Sequence, residues 1–255
     1  MPTTDLAICL RVSDYSETSQ VVTFLTRQGG LIRLLANGSK RAKSKSAGAI
    51  DLFSQGECVY TLGKSGSLGT LIEFAETVSR PALRKHLDRL YVGLYMLEIC
   101  TILLGPSDPY PEIFDLLSNA LNRLCQPDAS PQAVLAYFQW RVLRHVGLLG
   151  QMDTCVNCGR KIGTKGVYFS SSLGGLLCRD CESAVAEKYA VSPSCLSAIA
   201  ALSAAEAGKR PTLPDKQAQA INALLAYHIE FQSGREIKSA RGVLEERKVP
   251  ENIAR

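Results

Sequence analysis

The chain has 255 residues, 46% of them hydrophobic and 21% charged, enough apolar material for one large or two ordinary domains that need no disulfide staples. A formal net charge of +5 over this length says little by itself, so only a local concentration of charge can point to a partner. No apolar run approaches the roughly 18 to 20 residues that cross a bilayer, and the Met-Pro-Thr-Thr-Asp start lacks the basic and apolar parts of a signal peptide, which predicts a soluble intracellular protein.

The first 80 or so residues carry strand patterns. β-Branched and apolar clusters fall at Leu6 to Val12, Gln20 to Thr26, Leu31 to Ala36, Glu57 to Leu62 and Leu71 to Val78. Gln28-Gly29-Gly30 supplies one hairpin turn and the Gly63 to Gly69 stretch another. Five short antiparallel strands in this length suit a small closed barrel. After Arg80-Pro81 the spacing turns helical, with Leu83, Leu87, Leu90, Tyr91, Leu94, Tyr95 and Leu97 predicted to form one apolar stripe. Pro109 and Pro111 introduce a second helix bearing Ile113, Phe114, Leu117, Leu121 and Leu124. Ser130-Pro131 opens a third, with serine as cap and proline in the first turn, carrying Val134, Leu135, Phe138, Trp140 and Val142 and stopping near Gly147.

Residues 151–182 interrupt the helical pattern. Beyond them, Ser192-Pro193 repeats the cap signal for a helix through about Ala207, and Lys216 to Phe231 is helical with Ile221, Leu224, Leu225 and Ile229 inward. A last helix is predicted after Gly234. The division is therefore a barrel (1–80), a helical domain (81–150 and 183–255) and an insertion (151–182), an α+β, multi-domain architecture.

The insertion holds the sharpest local signal. Of nine cysteines, Cys9, Cys58, Cys100, Cys125 and Cys195 are scattered and read as small buried hydrophobes. The others form two Cys-x-x-Cys pairs, Cys155/Cys158 and Cys178/Cys181, with residues 159–177 between them. A two-residue gap turns both thiolates of a pair toward one ion, and two such turns complete a tetrahedron, so the four predict a structural Zn2+ site. The Gly166 to Ser170 and Leu176-Leu177 segments read as short strands of a zinc ribbon around a Ser/Gly turn. Four thiolates leave no open coordination position, which argues against metal-assisted hydrolysis or deamination. No phosphate-cradling Gly-x-x-x-x-Gly-Lys motif occurs, and His86, His145 and His228 lie singly in helical patterns, so no catalytic residue is assigned.

Between Thr18 and Ile50 there is no acidic residue, whereas Arg27, Arg33, Lys40, Arg41, Lys43 and Lys45 are cationic. The densest part, 37–46, is rich in small polar residues and reads as a loop leaving the third strand. Such a loop suits phosphate contacts made without regard to base sequence.

At this point the chain resembles the RecO family. The resemblance rests on Tyr15-Ser-Glu-Thr-Ser19 before the second strand, Ala36-Asn-Gly-Ser-Lys-Arg41 with Lys43-Ser44, the two cysteine pairs, and Gly234-Arg-Glu-Ile-Lys-Ser239. It implies an N-terminal five-stranded OB-fold, an α-helical domain and a zinc-finger element. It also implies a non-enzymatic, cytoplasmic, nucleoid-associated bacterial mediator of DNA repair and recombination. Such a mediator binds single- and double-stranded DNA, anneals complementary strands, and works with RecR to load RecA onto DNA coated by single-strand-binding protein. The implied phosphate contacts are Arg33, Lys40, Arg41, Lys43 and Lys45. Asn37 and Ser39 depart from the family's commonest loop, which often begins Lys-Gly. An acidic, apolar-ended partner peptide is expected to dock on helical cations such as Arg84, Lys85, Arg141 or Arg144. A zinc-ribbon RNA-binding or transcription factor is the alternative that the same features would serve.

Overall fold

In the computed structural model, which describes residues 1–41, 48–63, 68–106, 108–205 and 209–244, the alternating segments become five strands. They are β1 (Thr3–Asp14), β2 (Gln20–Thr26), β3 (Gly30–Ala36), β4 (Gln55–Thr61) and β5 (Gly69–Val78). They close in the order β1-β2-β3-β5-β4, with β3 and β5 parallel and every other pair antiparallel. This is the OB-fold order. Closure depends on β1, whose first half pairs with β4 (Thr3 to Ile8) and whose second half pairs with β2 (Ala7 to Asp14). The register shifts between Cys9 and Arg11, which leaves Leu10 as a bulge where the strand bends from one neighbour to the other. Inward residues, among them Ala7, Cys9, Val22, Phe24, Leu34, Tyr60 and Phe74, fill the barrel. The Phe24 and Phe74 rings lie 5.2 Å apart. At the β2–β3 turn, Gly30 has φ +69° and a Cβ there would sit 1.9 Å from the Asp108 carbonyl oxygen, so only glycine fits.

The chain divides into two compact units, Met1–Pro127 and Asp128–Arg255. In the first, α1 (Leu87–Leu103) and α2 (Pro111–Leu124) pack on the barrel. The link is polar at its centre. Arg80, 5% exposed, donates to the Phe53 carbonyl (2.7 Å), Gln55 Oε1 (2.6 Å), Asn122 Oδ1 (2.8 Å) and Ser118 Oγ (3.3 Å), so barrel and α2 share one guanidinium. Phe53 itself is buried at φ 69°, and its ring edge lies 3.0 Å from where a Cβ on Gly93 of α1 would be.

The predicted stripe on α1 needs correction. Tyr95 and Leu97 are buried, but Leu87 and Tyr91 are 69% and 40% exposed. The inward face is instead Val92, Tyr95, Met96, Ile99 and Cys100. Apolar residues occur all round this helix, so spacing alone could not select the buried side.

In the second unit α3 (Pro131–His145) and α4 (Pro193–Ala204) both pack on α5 (Asp215–Ser233). Ser130 Oγ accepts from the Ala133 amide at 3.3 Å and Ser192 Oγ from the Cys195 amide at 3.2 Å, the serine caps expected before each proline. A buried polar pair, Gln139 Nε2 donating to Asn222 Oδ1 at 2.9 Å, fixes α3 against α5. Residue Gly234 takes φ +64° and ends α5. The last helix expected beyond it is a 3-10 segment, Lys238–Gly242. Three short strands, β6 (Tyr168–Ser170), β7 (Gly175–Leu177) and β8 (Tyr189–Ala190), form a small sheet, the first two within 151–182 and the third beyond it. Among the described residues, no helix is long and apolar enough to cross a membrane.

Candidate metal centre and nucleic-acid interface

Each Cys-x-x-Cys pair sits on a tight turn. In the first, the Cys155 amide donates to the Arg160 carbonyl (2.7 Å) and the Gly159 amide to the Cys155 carbonyl (2.8 Å), with Gly159 at φ +72°. In the second, the Cys181 amide donates to the Cys178 carbonyl at 3.1 Å. The β6–β7 hairpin carries the second turn to the first, and the four sulfurs lie within 4.8 Å of one another.

The Cys158 and Cys178 sulfurs are 3.8 Å apart. That is far beyond a disulfide of about 2.05 Å and close to the edge, about 3.8 Å, of a tetrahedron whose metal–sulfur bonds are about 2.3 Å. The residues fit a tetrahedral, all-sulfur metal site.

The surroundings favour thiolates at Cys155 and Cys158. Burial opposes ionisation of Cys155, but the amides of Cys178, Cys158 and Asn157 outweigh it and lower its pKa. Arg160 donates to Cys158 Sγ from Nε (3.5 Å) and brings the Cys158 pKa down to about 6. The other end of that guanidinium reaches Cys178 Sγ at 3.9 Å and Asp180 at 2.8 Å. Asn157 favours the Cys181 thiolate, yet burial and proton sharing with the other three sulfurs push Cys181 up to about 11. Four adjacent thiols cannot all ionise unless a cation joins them.

A second polar cluster ties the ribbon to α5. Glu187 accepts from Ser170 Oγ (3.1 Å), the Ser172 amide (3.0 Å) and Tyr227 Oη (2.6 Å). His228 is fully buried, with Nε2 2.8 Å from the Leu148 carbonyl and its ring edge-on to Phe169. His86, which precedes α1, and His145, at the end of α3, are exposed.

The predicted phosphate contacts fall differently. Arg33 is exposed on the outer side of β3. Lys40 lies 2.6 Å from Asp14 at the end of β1, so its charge is already engaged. Arg41 is exposed and its side chain runs over Gly38. Lys43 and Lys45 lie outside the described residues. Arg27 pairs with Asp115 at 2.9 Å. Of the helical cations, Arg84 pairs with Asp51 and Arg144 donates to the Gly150 carbonyl, while Lys85 is exposed and Arg141 half-buried.

One cation escaped the sequence reading. Arg11 on β1 pairs in register with Thr23 on β2, and Thr23 with Arg33 on β3. The two exposed arginines therefore flank Thr23 across the outer face, about 10 Å apart at two strand spacings. Neither guanidinium has a protein partner among the described residues. The signal available was Arg11's outward place in an alternating strand, with no acid near it until Asp14. On β4 and β5 the exposed residues include Glu57, Glu73 and Glu76. The exposed charges are thus Arg11, Arg33 and, at the end of β1, Lys40-paired Asp14 on β1–β2–β3, and glutamates on β4–β5.

A closed β1-β2-β3-β5-β4 barrel with Arg11 and Arg33 exposed in one cross-strand row, followed by helices and a four-cysteine ribbon, defines a multi-domain OB-fold protein with a candidate metal centre. Residues 1–80 match the family model described as Recombination protein O N terminal, and residues 84–241 match Recombination protein O C terminal. The chain is 33% identical over 238 residues to the DNA repair protein RecO of Myxococcus xanthus, covering 92% of this chain and 94% of that one. It is 30% identical over 239 residues to the RecO of Anaeromyxobacter sp. (strain K), covering 92% of each chain. To the RecO of Rhodopirellula baltica it is 33% identical over 215 residues, covering 82% of this chain and 76% of that one. The chain belongs to the RecO family of DNA repair proteins.

Proposed function

We propose that the chain is a non-catalytic DNA-binding mediator that holds single- and double-stranded DNA on its barrel and anneals complementary strands. The observation that carries this reading is the Arg11–Thr23–Arg33 row, two exposed guanidinium groups without a protein partner among the described residues. Arg41, and Lys40 when it exchanges Asp14 for a phosphate, extend this surface from the end of β3, and Lys43 and Lys45 follow them in the sequence as further phosphate contacts.

The mechanism is electrostatic. Cations that replace counterions on two strands lower their mutual repulsion and raise their local concentration, which speeds pairing with no bond made or broken in the protein. Backbone contacts of this kind carry no base preference. Cys155, Cys158, Cys178 and Cys181 would hold Zn2+, which supplies structure by crosslinking two turns of a ribbon too small to keep its own core. Their saturation of the ion agrees with a structural role.

Functionally the chain divides into the 1–80 DNA-binding domain, the helical domain of 81–150 and 183–255, and the 151–182 zinc element. Membership of the family supports a cytoplasmic, nucleoid-associated bacterial protein. It also supports partnership with RecR and with single-strand-binding protein, and the loading of RecA onto DNA coated by the latter. Exposed helical cations such as Lys85 suit an acidic partner peptide.

The test is a salt series of strand annealing with complementary oligonucleotides, bare or coated by single-strand-binding protein, using wild type and Lys40→Ala/Arg41→Ala/Lys43→Ala/Lys45→Ala. Annealing that fades with salt and is weakened in the variant is expected. A wild type that neither binds nor anneals DNA at low salt contradicts the reading, and stronger binding of RNA than of DNA would favour an RNA-binding role.

A further inference from the structure

The four sulfurs of the ribbon are not equally sheltered. Cys155 and Cys181 are 2% and 8% exposed, whereas Cys158 is exposed and Cys178 half-buried. Among the edges of a tetrahedron on these sulfurs, Cys158–Cys178 is therefore the one open to solvent at both ends. It also joins the two turns, because Cys158 ends the first Cys-x-x-Cys pair and Cys178 opens the second. The Arg160 guanidinium lies over this edge. Its Nε donates to Cys158 Sγ (3.5 Å) and its Nη2 reaches Cys178 Sγ (3.9 Å), while Asp180 holds Nη2 at 2.8 Å.

A thiolate bound to a metal needs no deprotonation, so its attack on an electrophile follows its electron density, which a hydrogen-bond donor draws off. An oxidised cysteine condenses with a neighbouring thiol to a disulfide when the second sulfur is within reach. The 3.8 Å between Cys158 and Cys178 leaves about 1.8 Å to close.

We propose that the Cys158–Cys178 edge is an oxidant-sensitive site, at which a peroxide exchanges the metal for a disulfide between the two turns, and that Arg160 guards it. This rests on the reading of the four cysteines as a Zn2+ site. The exposed Cys158 thiolate attacks one peroxide oxygen, the O–O bond breaks, the departing hydroxide takes up a proton, and Cys158 becomes a sulfenic acid. Cys178 then attacks that sulfur, the S–S bond forms, and a second hydroxide leaves and is protonated to water. Two thiolates, one hydrogen peroxide and two protons thus become one disulfide and two waters, with two electrons passing from sulfur to oxygen. Two of the four ligands are lost, and the ion departs with them.

The place of the crosslink decides what survives. The metal would tie the turn of 155–158 to that of 178–181, and a Cys158–Cys178 disulfide ties the same two turns, whereas a disulfide within either pair leaves them unlinked. The hairpin between them then stays closed on its seat against α5, where Glu187 accepts from Ser170 Oγ and the Ser172 amide, and Gln232 donates to the Ser171 carbonyl. Metal release by this route is reversible by thiol reduction, unlike alkylation of the four sulfurs.

The experiment uses the full chain, purified under reductant and exchanged into buffer without it, with its Zn2+ content measured first. Hydrogen peroxide is added in small excess. Three quantities are read: Zn2+ captured by a chromophoric chelator, disulfides mapped by mass spectrometry of an unreduced digest, and hydrogen–deuterium exchange of 168–177. One Zn2+ is expected to leave for each Cys158–Cys178 disulfide formed, with 168–177 still protected, and dithiothreitol with added Zn2+ should restore the starting state. Arg160→Met is expected to release Zn2+ about fivefold faster, the factor for about one net hydrogen bond.

A disulfide within either pair as the main product overturns the proposal, as do sulfinic acids without a disulfide, or exchange of 168–177 that opens as the metal leaves. Release from Arg160→Met at the wild-type rate overturns the part given to Arg160. If that variant fails to fold, Asp180→Asn, which loosens the guanidinium, decides by a smaller change of the same sign. Purified protein without Zn2+ sinks the metal reading and the proposal together, whereas zinc-loaded protein that gives another product sinks the proposal alone.

Discussion

Replacing both Arg11 and Arg33 by alanine isolates the outer face of the barrel from the basic segment. The two residues lie in one cross-strand row, both exposed and both without a protein partner among the described residues, so their loss removes charge without breaking an interaction described for the fold. If each arginine neutralises one phosphate of a single strand, the slope of log K against log salt should become shallower by about 1.4. Projected from 1 M, where this contribution vanishes, that slope corresponds to about 25-fold weaker binding at 0.1 M salt. Fluorescence anisotropy of a labelled oligonucleotide between 0.05 and roughly 0.3 M salt resolves such a change. Glu57→Gln/Glu73→Gln, on β4 and β5, is the control and should leave the slope unchanged. A double-arginine variant with the wild-type slope would refute the placement of DNA on β1–β2–β3, as would a slope that changes equally in the control.

Removing metal should unfold the ribbon and leave the barrel intact: purified protein is expected to carry one Zn2+ per chain, and its release by a thiol reagent should abolish amide protection in 168–177 but not in β2. Cobalt substitution should give the thiolate-to-metal absorption of a tetrahedral all-sulfur site, and a cobalt spectrum without it would contradict the four-ligand assignment. Arg80→Met should destabilise the first unit by about 3 kcal/mol, because four acceptors around a buried guanidinium lose their donor. Denaturant unfolding would measure this, and a change below about 1 kcal/mol would show that the network is dispensable. Burial lowers the His228 pKa below its ordinary value, opposed by its bond to Leu148 and by Glu187. The unfolded chain then binds more protons, so this contribution is complete above about pH 6.5 and is lost as pH falls toward the depressed folded value. His228→Gln should therefore flatten the fall of Tm between about pH 7 and 5. An identical fall in both proteins would assign the pH dependence elsewhere.

The strands were legible because alternation and turn chemistry are local. Gln20 to Thr26 is both the predicted and the observed extent of β2. The four-cysteine cluster was legible because the Cys-x-x-Cys spacing encodes it directly. Closure of the barrel was less so, since the β1–β4 and β3–β5 pairings join segments far apart in the chain and rest on a bulge at Leu10 that no turn residue announces. The same bulge shifts the register that sets Arg11 opposite Thr23, which is why a solitary arginine in a strand did not stand out. Leu87 and Tyr91 were misplaced because α1 is apolar around its circumference and only packing against the barrel decides which side is covered. Lys40 shows the converse limit. Its membership of a cationic run is plain in the sequence, whereas its partner Asp14 comes from another strand. Gln20 is an ordinary polar residue until the fold brings Ser39 and Ile50 to it.

The most direct test of where DNA meets this protein is photo-crosslinking from two single positions, with p-benzoylphenylalanine at Thr23, between the two arginines, or at Ala75, beside Glu57 on the acidic side. A single-stranded oligonucleotide should crosslink from Thr23 in a salt-sensitive way and not from Ala75. Equal yields from both positions, or crosslinks from Ala75 alone, would contradict a DNA-binding surface on the β1–β2–β3 face.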